Sequence, residues 1–231
     1  MVLPRTCVVC GRDLTLEERH ICLECACDLP FTRFWEREHN PMADKYNERI
    51  SAHIPDAVEE AYAFAAALLY YSENSPYKRI PQALKYERKI SQGRYFAALL
   101  GEKLRLSSWA PTVDLVVPVP VHWKRRLKRG YNQAEIIASE VARKLGVLLC
   151  AECLRRTRFS VSQTSVSLEK KASNVEGAFV SVKTPPARHI LLVDDTFTSG
   201  STLAACHKAL RDAYPTPGVR ISVATMSYVG P

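Results

Sequence analysis

The sequence has no apolar run near the 18 residues that a membrane-spanning helix needs, which excludes a transmembrane protein. It has neither internal repeats nor low-complexity tracts, so we do not expect a disordered chain. The N-terminal residues 1–6 lack the apolar core of a signal peptide, and we therefore expect a cytoplasmic protein. The length, 231 residues, suits one domain of ordinary size with a small appendage.

Charge is distributed unevenly along the chain, although the total is +8. Residues 1–75 hold 7 basic and 13 acidic side chains, whereas residues 76–190 hold 22 basic and 8 acidic ones. A basic middle segment indicates a surface that meets phosphate-bearing ligands. A solvated lysine-rich face explains the same charge equally well, so charge alone does not name a ligand.

Four of the eight cysteines form two CxxC pairs near the N-terminus. This spacing lets four thiolates converge on one tetrahedral Zn²⁺, in a segment too short to bury its own core. A redox-active CxxC is the alternative, but it requires one pair at the start of a helix that follows a strand. We therefore predict a structural zinc-ribbon-like module over residues 1–30 with the ligands Cys7, Cys10, Cys22 and Cys25.

The other thiols and His20 are interpreted as non-ligands. Cys27 and His20 lie close to the predicted ligands, but four cysteines already complete a closed site. Cys150 and Cys153 form a third CxxC that follows the apolar run 147–149, and we place them in a buried strand. In a reducing compartment we expect no structural disulfide.

Strands alternating with amphipathic helices follow a Pro-containing segment, residues 31–57, that we interpret as a linker with at most a short helix. The alternation predicts an α/β domain over residues 58–231, with a mostly parallel sheet and helices on both faces. Residues 58–71 fit a helix or a strand, and a helix is expected from Ser75. The expected strands are 113–119, 147–150, 189–193 and 219–226, and the expected helices are 92–106, 132–145 and 202–213.

The segment 190–202, ILLVDDTFTSGST, carries the clearest chemistry. A buried strand delivers Asp194 and Asp195 to the rim of the sheet, and a hydroxylic loop leads into a helix. Main-chain N–H groups, hydroxyls and the helix dipole suit a monophosphate, while the carboxylates accept hydrogen bonds from a vicinal diol or help to hold Mg²⁺. A diol and a 5′-phosphate together describe a ribose 5-phosphate group.

This segment resembles the signature of type I phosphoribosyltransferases, which bind phosphoribosyl pyrophosphate (PRPP). Further matches narrow the resemblance to the ComF family of amidophosphoribosyltransferase-like proteins, which is linked to natural competence. The matching segments are the N-terminal cysteine pairs, Leu84-Lys85-Tyr86, Val117-Pro118-Val119-Pro120, Arg129-Gly130-Tyr131-Asn132-Gln133 and the stretch Arg155…Gln163…Asn174.

The resemblance implies roles for individual residues. Asp194 and Asp195 would hold the ribose hydroxyls and serve as the catalytic pair, with Mg²⁺ accompanying PRPP. The loop residues of the phosphate site would be Thr196, Thr198, Ser199, Gly200, Ser201 and Thr202. The basic turn after Val117–Pro120 would bind pyrophosphate through Lys124, Arg125, Arg126 and Arg129. Residues 155–174 would form a flexible hood over PRPP.

Three functions remain open from the sequence. The first is Mg²⁺-dependent pentosyl transfer from PRPP to an unknown acceptor, with pyrophosphate released; no acceptor site is evident in the sequence. The second is a competence factor that binds single-stranded DNA and works with other DNA-uptake proteins, because aromatic residues interleave the basic segment. The third is a PRPP-binding sensor without catalysis.

Overall fold

A computed structural model describes residues 5–53, 60–157, 177–214 and 218–230, with His53, Arg125 and Lys128 described by their backbones only. Within these ranges, no helix combines the length and the apolar character required to cross a bilayer. The expected hood lies mostly outside the described residues, since only its first three residues, 155–157, are described.

The central sheet has five parallel strands, which are β1 Ala65–Tyr71, β2 Leu115–Pro118, β3 Leu148–Leu149, β6 His189–Phe197 and β7 Arg220–Val229. Their order across the sheet is β1-β7-β6-β2-β3. The order reverses between β6 and β2, because the chain crosses from β2 to β3 in one direction and from β6 to β7 in the other. Because crossovers between parallel strands are right-handed, the helices of the β2–β3 connection and the helix of the β6–β7 connection lie on opposite faces of the sheet.

A smaller antiparallel pair, β4 Leu154–Arg156 and β5 Phe179–Ser181, lies beside the main sheet. The described residues contain seven α-helices, which are α1 Leu23–Cys27, α2 Pro41–His53, α3 Arg79–Tyr86, α4 Ile90–Leu104, α5 Trp123–Arg129, α6 Gln133–Leu145 and α7 Ser201–Ala213. Among them, α4 packs with α6 and α2 packs with α7. The predicted α/β class, a mostly parallel sheet with helices on both faces, is confirmed.

The segment interpreted as a linker contains a long helix, α2, in place of at most a short one. Asn40 caps it, its Oδ1 accepting hydrogen bonds from the main-chain N–H groups of Met42 at 3.1 Å and Ala43 at 3.0 Å. Met42, Ala43 and Tyr46 are fully buried, so one face of the helix belongs to the core. Pro41 is compatible with this, since proline is favoured in the first helical turn. The domain boundaries at residues 30 and 57 stay a prediction.

Two other local expectations change in the structure. Strand β6 continues four residues past Val193, because Asp194 and Thr196 remain in register with Thr225 and Ser227 of β7. Residues 58–71, which fit either a helix or a strand, contain strand β1. By contrast, α6 ends at Gly146 in the left-handed conformation, with φ +73°, as its C-terminal glycine predicts.

The third CxxC does not lie in a buried strand. Strand β3 ends at Leu149, and Cys150 and Cys153 form a disulfide across the turn between β3 and β4, with a Cα–Cα distance of 5.5 Å. The expectation of no disulfide is therefore wrong for this pair. The turn brings the two thiols together because main-chain hydrogen bonds anchor both ends: Cys150 N donates to Val116 O at 2.9 Å and Val182 N donates to Cys153 O at 2.9 Å.

Candidate functional site

A cavity of about 830 Å³ opens at the carboxyl ends of the parallel strands. It lies where the strand order reverses, between β6 and β2, and the outer ends of β1 and β7 extend it. Ligands of open parallel sheets bind at such reversal points, because the two adjoining loops diverge to opposite faces and leave a crevice. The two segments singled out in the sequence, 117–120 and 194–202, end at this crevice.

Asp194 and Asp195 line the cavity together with Lys85. The Asp195 carboxylate lies 3.3 Å from Lys85 Nζ, while Asp194 Oδ1 accepts a hydrogen bond from the main-chain N–H of Asp195 at 2.8 Å. Burial and the neighbouring Asp195 charge raise the pKa of Asp194 to about 7. Burial opposes the charge of Lys85, but the two aspartates outweigh it and raise the pKa of that ammonium.

The loop from Thr198 to Thr202 turns sharply from β6 into α7. Gly200 has φ +74°, and a Cβ at this position would lie 2.9 Å from the Phe197 ring, so both the conformation and the space require glycine. Thr198 and Thr202 line the cavity, as does Thr196. Ser199 and Ser201 hydrogen-bond to each other through their hydroxyls at 3.0 Å, and neither is among the residues that line the cavity.

The predicted pyrophosphate turn is a helix, α5, and it presents its cations in several directions. Arg129 lines the cavity and lies 5.8 Å from the Tyr86 ring centroid. Arg126 is paired with Glu135 at 3.7 Å, and Lys124 lies 5.5 Å from the Trp123 ring centroid. The side chain of Arg125 lies outside the described residues. The side chains of Lys124, Arg126 and Arg129 are described, and of these three Arg129 lines the cavity.

Residues 129–133 form the connection between α5 and α6, and this explains their pattern of residue types. Gly130 ends α5 with φ +86°, and Asn132 caps α6 by accepting a hydrogen bond from Ala134 N at 3.1 Å. The Asn132 amide also donates to Val119 O at 3.0 Å, which ties this joint to the loop after β2. Tyr131 donates to Leu84 O, so the same joint holds the helix that carries Lys85. The segment thus fixes two walls of the cavity at once.

Sequence reasoning assigned no role to two cations of the cavity, Lys85 and Arg156. Arg156 ends strand β4 and lines the cavity, with its guanidinium 5.2 Å from the Phe179 ring centroid and its charge acting on Asp194. Lys85 lies in the segment 84–86 that carries part of the family resemblance, and this was the available signal. For Arg156 no comparable signal existed, because one arginine among several in a basic stretch is not distinctive.

The four N-terminal cysteines converge, with all their Sγ atoms within 4.8 Å of one another. The Cys10 and Cys22 sulfurs are 3.8 Å apart, about the edge of a tetrahedron built with Zn–S bonds of about 2.3 Å. The main-chain N–H groups of Cys22 and Cys25 point at the sulfurs of Cys7 and Cys22, both at 3.4 Å. The adjacent Arg12 lowers the pKa of Cys22 to about 6. The cluster could therefore hold a metal ion.

Cys27 and His20 are not members of this cluster. Cys27 is exposed at the end of α1. His20 faces α4, where its Nε2 lies 3.2 Å from Ser91 Oγ and its ring packs edge-on against Tyr95. The module is attached to the domain through this contact and through Arg79, which donates to Val9 O at 3.0 Å.

Comparison with curated proteins finds relatives with related names. "Competence protein F" from Haemophilus influenzae is 30% identical over 142 residues, which are 59% of this chain and 62% of that protein. "DNA utilization protein YhgH" is 29% identical over 132 residues in Salmonella typhi, 56% of this chain and 58% of the relative. The Escherichia coli K12 protein of the same name is 33% identical over 91 residues, 39% and 40% of the two chains.

These relatives confirm the resemblance to the ComF family, although the chain spans only about three fifths of the length of the first two. No family model matches the chain. Among solved structures, a glutamine PRPP amidotransferase from B. subtilis has a TM-score of 0.38 at 17% identity, covering 59% of this chain and 26% of its own. An adenine phosphoribosyltransferase from Leishmania tarentolae has a TM-score of 0.31 at 13% identity, covering 63% and 74%.

Proposed function

We propose that the chain binds PRPP in the cavity at the carboxyl ends of β6 and β2. One observation carries the proposal: Asp194 and Asp195, the loop that leads into α7 and the cations Arg129 and Arg156 all line one cavity. A ligand with a phosphate at one end, a diol in the middle and a diphosphate at the other end satisfies all three groups.

Each part of PRPP then has a chemically matched partner. The 5-phosphate accepts hydrogen bonds from the loop 198–202 and the start of α7, where main-chain N–H groups are unpaired by the helix. The ribose hydroxyls donate to Asp194 and Asp195. The diphosphate meets Arg129 and Arg156, with Lys124, Arg125 and Arg126 close by in sequence on α5.

The carboxylates also fit the metal that accompanies a diphosphate, because carboxylate oxygens are ligands that Mg²⁺ prefers. When bound, Mg²⁺ would neutralise charge that develops on the departing pyrophosphate. Lys85 has a separate role in this site. Its ammonium holds the Asp195 carboxylate in place, so that two adjacent acidic groups are tolerated at one edge of the sheet.

The chemistry that this arrangement supports is pentosyl transfer. The bond between the ribose C1 and the pyrophosphate oxygen breaks, its electron pair leaves with pyrophosphate, and a new bond forms between C1 and an acceptor. Arg129 and Arg156 stabilise the leaving group through charge-assisted hydrogen bonds. The aspartates hold the sugar while positive charge develops near C1. A sensor that binds PRPP without this step is the alternative use of the same site.

Calorimetry with Mg²⁺-PRPP tests binding, and a pyrophosphate assay tests turnover. We expect saturable binding with one site per chain. Pyrophosphate release that depends on an added acceptor supports the transferase, whereas binding without release across a panel of bases and oligonucleotides supports the sensor. No binding of Mg²⁺-PRPP would contradict both.

We also infer that Cys7, Cys10, Cys22 and Cys25 hold one structural Zn²⁺. Four converging sulfurs at tetrahedral spacing support zinc over a harder cation, and four protein ligands leave no open position for water. The ion would then fix the module against α3 and α4, and its role would be folding rather than catalysis.

A second candidate function is binding of single-stranded DNA along α5. It is favoured by one feature, the exposed Trp123, which is 58% accessible and has Lys124 beside its ring on a helix rich in lysine and arginine. Aromatic side chains stack on bases while cations neutralise phosphates. The names of the relatives, competence and DNA utilization, are consistent with this candidate and with partners among DNA-uptake proteins.

A further inference from the structure

The disulfide between Cys150 and Cys153 closes the turn from β3 to β4. A groove of about 600 Å³ lies beside it, lined by the end of β3, by the turn and by residues 183–185, which follow β5. None of the described residues that line this groove lines the cavity proposed for PRPP. The disulfide and its groove, the Cys150–Cys153 site, are therefore separate from the PRPP site.

Hydrogen bonds hold this turn in place independently of the disulfide. Cys150 N donates to Val116 O, on the neighbouring strand β2, at 2.9 Å. Cys153 O accepts from Val182 N at 2.9 Å and from Ser181 Oγ at 3.3 Å. Only two residues separate the cysteines, and closing so short a loop removes less conformational entropy from the unfolded chain than closing a long one. We therefore expect the turn to keep its fold whether the S–S bond is present or broken.

The two cysteines differ in their access to a reactant. Cys150 is half-buried and lines the groove, whereas Cys153 is fully buried and does not line it. Thiol–disulfide exchange begins when a thiolate attacks the sulfur that it can reach, and the other sulfur of the bond then leaves. The burial of the pair thus makes Cys150 the attacked sulfur and Cys153 the leaving one.

The groove also suits the approach of an anion as small as a thiolate. Glu152 is the one acidic residue among the described residues of the lining, and its carboxylate is ion-paired with Lys183. An approaching thiolate therefore meets a charge that is already neutralised. Leu148, which is 58% exposed, and Pro185 add apolar surface for the carbon chain that carries the thiol.

We propose that the Cys150–Cys153 site is a thiol–disulfide exchange site whose substrate is a dithiol. A thiolate of the dithiol bonds to Cys150 Sγ, the S–S bond breaks, and its electron pair stays on Cys153 Sγ, which takes up a proton. The second thiolate of the dithiol then attacks the dithiol's own sulfur in the mixed disulfide and releases Cys150, which is protonated in turn. The dithiol is oxidised to a disulfide, and two electrons and two protons pass to the two cysteines.

The first experiment measures how fast dithiothreitol, a small dithiol, reduces the disulfide in the full chain. Differential alkylation and the mass of the tryptic peptide 145–155 report this pair, because the peptide contains no other cysteine. We expect the folded protein to react within about tenfold of the rate in concentrated urea, since the attacked sulfur is accessible without unfolding. Oxidised dithiothreitol should restore the bond, with the circular dichroism spectrum unchanged throughout. Reduction only on unfolding, or a pair that oxidised dithiothreitol does not join, would overturn the proposal.

The second experiment tests which sulfur is attacked. Cys153→Ser leaves Cys150 as a thiol, and Cys150→Ser, which leaves Cys153, is its matched control. Oxidised glutathione is the probe, and the mass of peptide 145–155 reports its addition. We expect Cys150 to react at least about tenfold faster than Cys153 in the folded protein, because Cys153 is fully buried, and the difference to vanish in concentrated urea. Equal rates in the folded protein would overturn the proposed roles.

A third measurement distinguishes a protein dithiol from a small one. Reduced thioredoxin and dithiothreitol are each reacted with the wild type and with Leu148→Ser. A protein that docks in the groove should react about tenfold more slowly with the variant, whereas dithiothreitol should be nearly unaffected. Leu106→Ser is the matched control, because Leu106 is 69% exposed and lies outside the groove. Slower reaction of thioredoxin with Leu148→Ser alone supports a protein dithiol, equal rates with all three chains support a small dithiol, and no reduction by either reagent overturns the site.

Discussion

Lys85 Nζ lies 3.3 Å from an oxygen of Asp195, and this ion pair joins helix α3 to the last part of strand β6 at the lining of the cavity. The pair is mostly shielded from water, with side-chain exposures of 32% and 17%. Asp194, the preceding residue of β6, has a pKa raised to about 7 by burial and by the charge of Asp195. Two adjacent carboxylates thus have different environments, one paired with an ammonium and one easily protonated.

Replacing both aspartates by asparagine should weaken the binding of Mg²⁺-PRPP at least about tenfold. Asparagine keeps the size of the side chain and removes the charge that accepts from the ribose hydroxyls, and each charge-assisted hydrogen bond is worth roughly 1.5–3 kcal/mol. Calorimetry measures the change. Asp212→Asn, on the exposed end of α7 beside Lys208, is the control and should bind as the wild type. Equal binding by the double variant and the wild type would refute this site.

Asp194→Asn alone should make the protein more stable at pH 8. The pKa of Asp194 is raised in the folded state, so the folded protein binds a proton that the unfolded chain has already lost, and stability falls as pH rises from about 4 to 7. Each tenfold change in proton affinity is worth about 1.4 kcal/mol, and we expect a gain of roughly 1 kcal/mol or more. Urea unfolding at pH 5 and pH 8 measures it. If the stability of the variant depended on pH as that of the wild type does, the raised pKa of Asp194 would be contradicted.

Gly200→Ala should lower both stability and PRPP affinity. The new methyl group would meet the Phe197 ring at 2.9 Å, and the positive φ would strain any residue with a side chain. Gly146→Ala is the matched control, because Gly146 has φ +73° with no heavy atom within 4 Å of a built Cβ. Both should lose roughly 1 kcal/mol from the backbone conformation. The prediction would be wrong if Gly200→Ala lost no more stability than Gly146→Ala and still bound PRPP. The loop 198–202 would then not be a tightly packed phosphate site.

Metal analysis of protein purified without chelator should find one zinc per chain. Cys22→Ser should lose the ion, because Cys22 is fully buried at the centre of the cluster. Cys27→Ser should keep it, since Cys27 lies outside the cluster. Wild-type protein without zinc, or unchanged zinc content after Cys22→Ser, would show that the cysteines are not ligands.

If α5 binds single-stranded DNA, affinity should fall steeply with salt, because each neutralised phosphate releases counterions. The double change Arg125→Ala and Arg126→Ala should flatten the plot of log affinity against log salt. Arg188→Ala is the control, because Arg188 precedes β6 at the amino-terminal edge of the sheet, opposite the cavity. Fluorescence anisotropy with a labelled oligonucleotide measures the slope. Salt-independent binding, or no binding at low salt, would exclude this role for α5.

The sequence by itself determined four of the five strands of the central sheet, the helices after β2 and β6 that end at residues 145 and 213, and the place of the phosphate loop, because these depend on local patterns. Val193 and Gly146 illustrate this: a short apolar run indicates a buried parallel strand, and a glycine after a periodic helix indicates its end. The cysteine spacing likewise predicted which four sulfurs converge. The exact end of β6 was missed, because its last residues are held by pairing with β7 rather than by their own preferences.

Only the tertiary structure decided which side chains share the cavity. Lys85 is more than a hundred residues from Asp195 in sequence, and the pairing of an ammonium with that carboxylate depends on how α3 packs beside β6. Arg156 enters through a separate strand pair, and Arg126 turns away towards Glu135 although Arg129, three residues later, faces the cavity. Local sequence fixes the spacing of side chains along an element, but contacts between distant elements depend on the packing of the whole domain.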